Sequence, residues 1–196
     1  MSTREKNKGT LMSTRRILLG SLAAIGVAGA LAGCSTTAEE RITLEQAART
    51  SLDQLYRTVP AAEDVGKSSA GILVFPSITK AGLIIGGQYG DGVMFKDGKA
   101  VDYYQVTGGS FGLQAGAQTM SQAYFFTTPE ALQTFEETKG WEVGAGLDVA
   151  IASTAASGKL STSTLQKPVI VFVYGQSGLM AGVQVEGQKI TRLKRK

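Results

Sequence analysis

From Ala70 onward, apolar residues alternate with small or polar ones at a period of two, and glycine recurs inside the alternation. A period of two is the pleat of a β-strand. Glycine within a strand marks a bulge, a bend or a close approach of backbones. Of the 25 glycines, five lie in residues 1–33 and the rest follow, so the strands are expected to curve. The spacing predicts strands over Gly71–Phe75, stopped by Pro76, then Leu83–Tyr89, Val93–Lys96 and Ala100–Val106, with Asp97-Gly98 as a hairpin turn. The alternation continues through Phe111–Ala117, Ala123–Thr127, Trp141–Ala152, Val169–Tyr174, Leu179–Val185 and Lys189–Leu193. Ser153–Gln166 is small and polar and reads as a long loop or an irregular hairpin. Pro129–Lys139 interrupts the sheet with a short amphipathic helix, Leu132 and Phe135 inward, ended by Gly140.

Helical spacing precedes the sheet. Leu44, Ala47, Ala48, Leu52, Leu55, Tyr56 and Val59 form an apolar face over Thr43–Thr58, which Thr43 and Gln46 would open as a capping box. Arg41, Glu45, Arg49, Asp53 and Arg57 alternate in sign, a pattern expected of a solvated face. Pro60 opens a second helix through Val65, which Gly66 would end. The expected fold class is therefore α+β. N-terminal helices lead into a strongly curved, mainly antiparallel, glycine-rich sheet of about seven to nine strands, partly barrel-like, with one inserted helix.

The formal charge of +4 belongs to the leader. Residues 1–33 carry Arg4, Lys6, Lys8, Arg15 and Arg16 against Glu5, and the remainder is neutral, which argues against a nucleic-acid partner. After Arg16 the apolar run Ile17–Ala32 is short for a membrane span and has the build of a secretory signal. It ends in Leu31-Ala32-Gly33-Cys34, a lipobox, where small residues precede a thiol that accepts the acyl groups. Ser35 after the cysteine favours sorting to the bacterial outer membrane. Thr14-Arg15-Arg16-Ile17-Leu18-Leu19 resembles a twin-arginine export signal, and Met-Ser-Thr-Arg at both Met1 and Met12 offers two starts. The chain thus divides into a lipoprotein signal peptide (1–33), an acylated Cys34 with a polar tether (34–40), and a single domain (41–196). The expected location is the outer membrane, with the domain in the periplasm or at the cell surface.

The sequence has no histidine and one cysteine. Ser-His-Asp and Cys-His catalysis, imidazole metal sites and Cys-cluster zinc sites are thereby excluded, and no cofactor is implied. Gly108-Gly109-Ser110-Phe111-Gly112 fits G-x-S-x-G but starts a strand and has no histidine base. Ser77-Ile78-Thr79-Lys80 fits S-x-x-K but is expected in a loop between strands rather than at the start of a helix. Gly86–Gly92 lacks the Lys-Ser/Thr of a phosphate loop. A non-enzyme is the expectation.

Four ordered blocks carry a resemblance: Ala70–Pro76, Lys80–Gly92, Gly112–Ala117 and Tyr174–Gly187. The chain resembles the SYLF family of lipid-binding, actin-regulator-like domains over about Ala70 to Leu193. Eukaryotic members bind phosphoinositides and some bind actin, neither of which a periplasmic lipoprotein would meet. The resemblance implies contact with membrane lipid, through anionic phospholipid headgroups or acyl chains. Lys80 lies in a matching block and is the first candidate for that contact. The C-terminal cations Lys189, Arg192, Lys194, Arg195 and Lys196 are the others. The alternative is an interaction or structural module that holds an envelope protein or peptidoglycan partner.

Overall fold

The computed structural model describes residues 37–82, 85–111, 116–153, 160–178, 185 and 187–194. The leader, Cys34, most of the predicted strand Leu179–Val185, and Arg195 and Lys196 lie outside them. Helix α1 (Ala38–Thr58) starts five residues earlier than its pattern suggested. Its N-cap is Thr37, whose hydroxyl accepts from Glu40 N (3.3 Å) while the Glu40 carboxylate accepts from Thr37 N (2.7 Å). This reciprocal pair satisfies two amides at once. Thr43 is left inside the helix, donating to Glu39 O. The tether therefore loses Ala38–Glu40 to the helix. Helix α2 (Pro60–Ser68) runs through Gly66 instead of ending there. A Cβ at that position would strike the Tyr56 hydroxyl, so glycine serves helix packing rather than termination.

The strands are β1 (Gly71–Gly82), β2 (Ile85–Lys96), β3 (Lys99–Phe111), β4 (Gly116–Phe126), β5 (Trp141–Glu142), β6 (Val149–Ser153), β7 (Val169–Gly178) and β8 (Lys189–Arg192). Helix α3 (Pro129–Glu137) follows β4 and the short α4 (Thr162–Leu165) precedes β7. One sheet holds all eight strands in the order β5-β8-β3-β2-β1-β4-β7-β6. Only β6–β7 is parallel among these pairs. The run Trp141–Ala152 is thus two strands on opposite edges of the sheet, separated by Gly144 and Gly146 at φ 92° and 76°.

Pro76 does not stop β1. The register slips between Phe75 and Ile78 against β4, and between Val74 and Thr79 against β2. Proline has no amide to give the ladder and is tolerated at such a bulge. The extra residue bends the strand. Curvature of the whole sheet shows in one contact. Tyr124 on β4 and Trp141 on β5 are five strand positions apart, about 24 Å across a flat sheet, yet their ring centroids lie 6.2 Å apart. The sheet is a half-barrel.

Alternation assigns its two faces. On the inner face Leu73, Phe75, Ile78, Met94, Val106, Tyr124 and Val171 join Trp141, Ile190 and helix α3 in one buried cluster. Phe135 of α3 packs on Phe126, Tyr104 and Trp141 with centroids 4.8, 5.1 and 5.5 Å away. On the outer face Val74, Val93, Phe95, Ala123, Phe125 and Phe172 meet Ala48, Leu55, Val59, Ala62 and Val65 of α1 and α2. Burial on both faces explains the unbroken apolar run Ile72–Phe75. The charge ladder of α1 also differs from its expectation. Arg49 lies over the Phe95 ring (4.8 Å) and donates to Gly98 O, Arg41 lies over Tyr103 (5.8 Å), and Glu45 accepts from the Tyr103 hydroxyl. Three of its five charges dock the helix on the sheet. Both clusters belong to the unit Ser35–Lys196, which has its own core.

Candidate functional site

Lys80 is not in a loop but inside β1. Its cross-strand neighbours are Gln118 on β4 and Gln88 on β2, and the row continues to Gly108 on β3. Residues in register point to the same face, and two residues before Lys80 comes Ile78 of the inner cluster. The row therefore lies on the inner face, one layer beyond Met120, Ile78 and Val106. Lys80 is 7% exposed and Gln118 4%. Among the described residues no carboxylate pairs with the Lys80 ammonium. Oε1 of Gln88 and Oε1 of Gln118 are buried with no hydrogen-bond partner.

Other inner-face glutamines behave differently. The Tyr124 hydroxyl lies 2.8 Å from Gln122 Oε1 and 2.9 Å from Gln188 Oε1, and its single hydrogen serves that pair. Burial drives the Tyr124 phenol well above its ordinary range, so it stays a donor. That network is complete and holds the core. The Gln118–Lys80–Gln88 row is incomplete. It offers one cation, two unused acceptors and amide donors in a recess. Gly108 lets the Gln88 side chain lie over β3: a Cβ there would come 2.5 Å from Gln88 Nε2.

The structure separates the C-terminal candidates from Lys80. Lys189 pairs in register with Thr107 and with Glu142. It lies on the outer face, since its neighbour Ile190 points inward, and its stem runs over Gly140. Arg192 sits farther along β8, paired in register with Tyr104, ion-paired to Asp102 and over the Tyr104 ring (5.9 Å). Lys194 is exposed, and Arg195, Lys196 and Cys34 lie outside the described residues. Sequence analysis missed Gln88 and Gln118, because an isolated glutamine carries no pattern until a register places it beside a cation.

The rejected motifs can be placed too. Ser77 is exposed and Lys80 buried on the opposite side of β1, so they cannot act as a pair. Residues 108–111 lie within β3, with no strand-to-helix turn. Among the described residues no three His, Cys, Asp or Glu side chains cluster to hold a metal ion, and no helix is long and apolar enough to cross a membrane. A cleft of about 410 Å³ beside α1, α2 and the β2–β3 turn contains Arg49 and Lys67. Lys67 is held by Glu63 at 3.0 Å and Arg49 by Gly98 O, so its cations are already engaged.

The domain is a curled α+β half-barrel with a polar row of low exposure on its inner face. Residues 107–196 match the family model described as Ysc84, Las17-binding protein actin regulator, which supports a SYLF domain in this part of the chain. The match begins in β3 and includes the blocks Gly112–Ala117 and Tyr174–Gly187. The blocks around β1 and β2, with Lys80 and Gln88, precede it. No curated protein matches the chain. SYLF domains are binding-type domains, for lipid or protein.

Proposed function

We propose that the protein is an envelope lipoprotein, acylated at Cys34, whose SYLF domain binds anionic phospholipid and catalyses no reaction. Lys80 is the observation that carries this reading. Lys80 is 7% exposed and no carboxylate among the described residues pairs with it, so an anionic headgroup reaching the row would supply its counter-charge. The acylated cysteine would keep the domain at the outer membrane, in the periplasm or at the cell surface. Only Ser35 and Thr36 separate Cys34 from the Thr37 cap, a span of at most about 11 Å. Lys194, Arg195 and Lys196 would add long-range attraction worth up to about 1 kcal/mol per cation near an anionic surface.

Two measurements test it. Wild-type protein should carry an acyl mass increment, and Cys34→Ala should remain an unprocessed precursor in the inner membrane. Wild type without the increment, or a mutant of normal size in the outer membrane, removes the anchor. The unit Ser35–Lys196 should co-sediment with phosphatidylglycerol vesicles at low salt, and no retention would sink the lipid-binding half. The alternative, a module for a protein or peptidoglycan partner, draws on β6. That strand ends the sheet and exposes Ile151, which suits addition of a partner strand. A single dominant protein adduct after crosslinking in cells would favour it.

A further inference from the structure

We infer that the Gln118–Lys80–Gln88 row is a site for a monoanionic phosphate ester bearing hydroxyl groups, the chemistry of a glycerol phosphate headgroup. The inference rests on the lipid-binding reading above and names the feature of the ligand that the site recognises. An anion alone would answer Lys80 but leave two buried carbonyls orphaned, each a standing penalty. Gln88 Oε1 and Gln118 Oε1 can only accept, so the occupant must also bring donors. They flank Lys80 in register on either side, at about 5 Å between neighbouring Cβ atoms. The ligand therefore has its negative oxygen at the centre and hydroxyl donors around it. A choline headgroup has no donor, and a phosphate capped by a methyl ester has the charge but no hydroxyl.

Gly108 continues the row on β3 and, lacking a Cβ, leaves the Gln88 side chain space to lie over that strand. A lipid headgroup and a soluble glycerol phosphate ester both carry this chemistry.

The test compares vesicles of phosphatidylglycerol with vesicles of phosphatidylmethanol, which have the same charge and no headgroup hydroxyl. The unit Ser35–Lys196 should prefer phosphatidylglycerol by about tenfold, the worth of one or two hydrogen bonds. Lys80→Met should lose retention on both vesicles while keeping a cooperative melting transition, since it removes the ammonium and keeps an unbranched apolar stem in the sheet. Gln88→Leu with Gln118→Leu should keep binding but lose the preference. Gly108→Ala, which displaces only the end of the Gln88 side chain, should weaken the preference without altering the charge. Free glycerol 3-phosphate, followed by chemical shifts of the Gln88 and Gln118 side-chain amides, separates the sources. Lys80-dependent shifts without any vesicle retention would support the site and overturn its lipid occupant. Equal retention on the two vesicles, or a Lys80→Met protein that binds and discriminates like wild type, would overturn the inference while lipid binding itself stands. Absence of binding to vesicles and to glycerol 3-phosphate alike would remove both.

Discussion

Glycine 90 and glycine 109 have the same composition and opposite roles. A Cβ on Gly90 would lie 2.7 Å from the Ser77 carbonyl oxygen and 2.9 Å from Ile78 Cγ1. The backbone on the bulged side cannot withdraw, so Gly90→Ala is expected to cost about 1–3 kcal/mol. Gly109→Ala meets nothing within 4 Å and should fall within about 1 kcal/mol of wild type, on the stabilising side. Urea midpoints at constant slope decide between them, and equal midpoints would show that close approach is not what Gly90 provides. A second residue-scale prediction concerns Ser51, whose hydroxyl lies 2.8 Å from the Tyr174 hydroxyl in a buried pair. Ser51→Ala strands a phenol that burial has pushed up to about 12, and about 1–3 kcal/mol of stability should go with it. The abundance of glycine was legible in the sequence. Which glycine matters was not, because it depends on the strand that crosses it, as the Phe75 ring crosses Gly92 at 2.5 Å from where a Cβ would stand.

Elements differ from their sequence pattern where a local contact outweighs a periodic one. Periodicity placed the core face of α1 correctly through Ala48 and Leu55, but not the start of the helix. Thr37 and Glu40 give two hydrogen bonds that the Thr43–Gln46 spacing does not. β1 passes Pro76 because a bulge absorbs the missing amide, and it carries Lys80 from an expected loop into the sheet. That one extension decided whether the candidate cation was exposed or recessed, and the sequence has no local signal for it. The cap also makes α1 sensitive to acid. Hydrogen bonds from the Thr37 amide and then its hydroxyl hold the Glu40 carboxyl below the usual carboxylate range. A lowered folded-state value means the contribution is present above the unfolded value and is lost as pH falls through the folded one. Amide protection over Ala38–Arg41 should therefore decline at acid pH in wild type. Glu40→Gln keeps an acceptor and should abolish the decline. Thr37→Ala should cost about 0.5–2 kcal/mol at any pH. Protection at these amides that is insensitive to both changes would rule out the cap.

The half-barrel as a whole is closed by aromatic side chains from distant strands, and four tyrosines are built into its two buried clusters. Tyr104 and Tyr124 face inward, while Tyr174 and the partly buried Tyr56 of α1 belong to the cluster between helices and sheet. Burial is the first cause of each shift: Tyr56, Tyr104 and Tyr174 are pushed up to about 12, and Tyr124 further. A raised folded-state value for a phenol means the fold binds that proton more tightly than the unfolded chain does. The stabilisation is complete below the ordinary phenol value near 10. It falls as pH rises from there toward about 12, because the unfolded chain ionises first. Since the four side chains sit on β3, β4, β7 and α1, no single element can release them one by one. The molecule should unfold cooperatively in alkali. Tyrosinate absorbance of these buried phenols should then rise in step with the red shift of Trp141 fluorescence, the chain's one tryptophan, which is buried against Tyr124 and Phe135. Tyr174→Phe should move the transition to higher pH by removing one linked proton, at the expense of the Ser51 hydrogen bond. If absorbance climbs well before the Trp141 shift, the phenols ionise inside an intact half-barrel, and the two clusters do not seal them as the geometry requires.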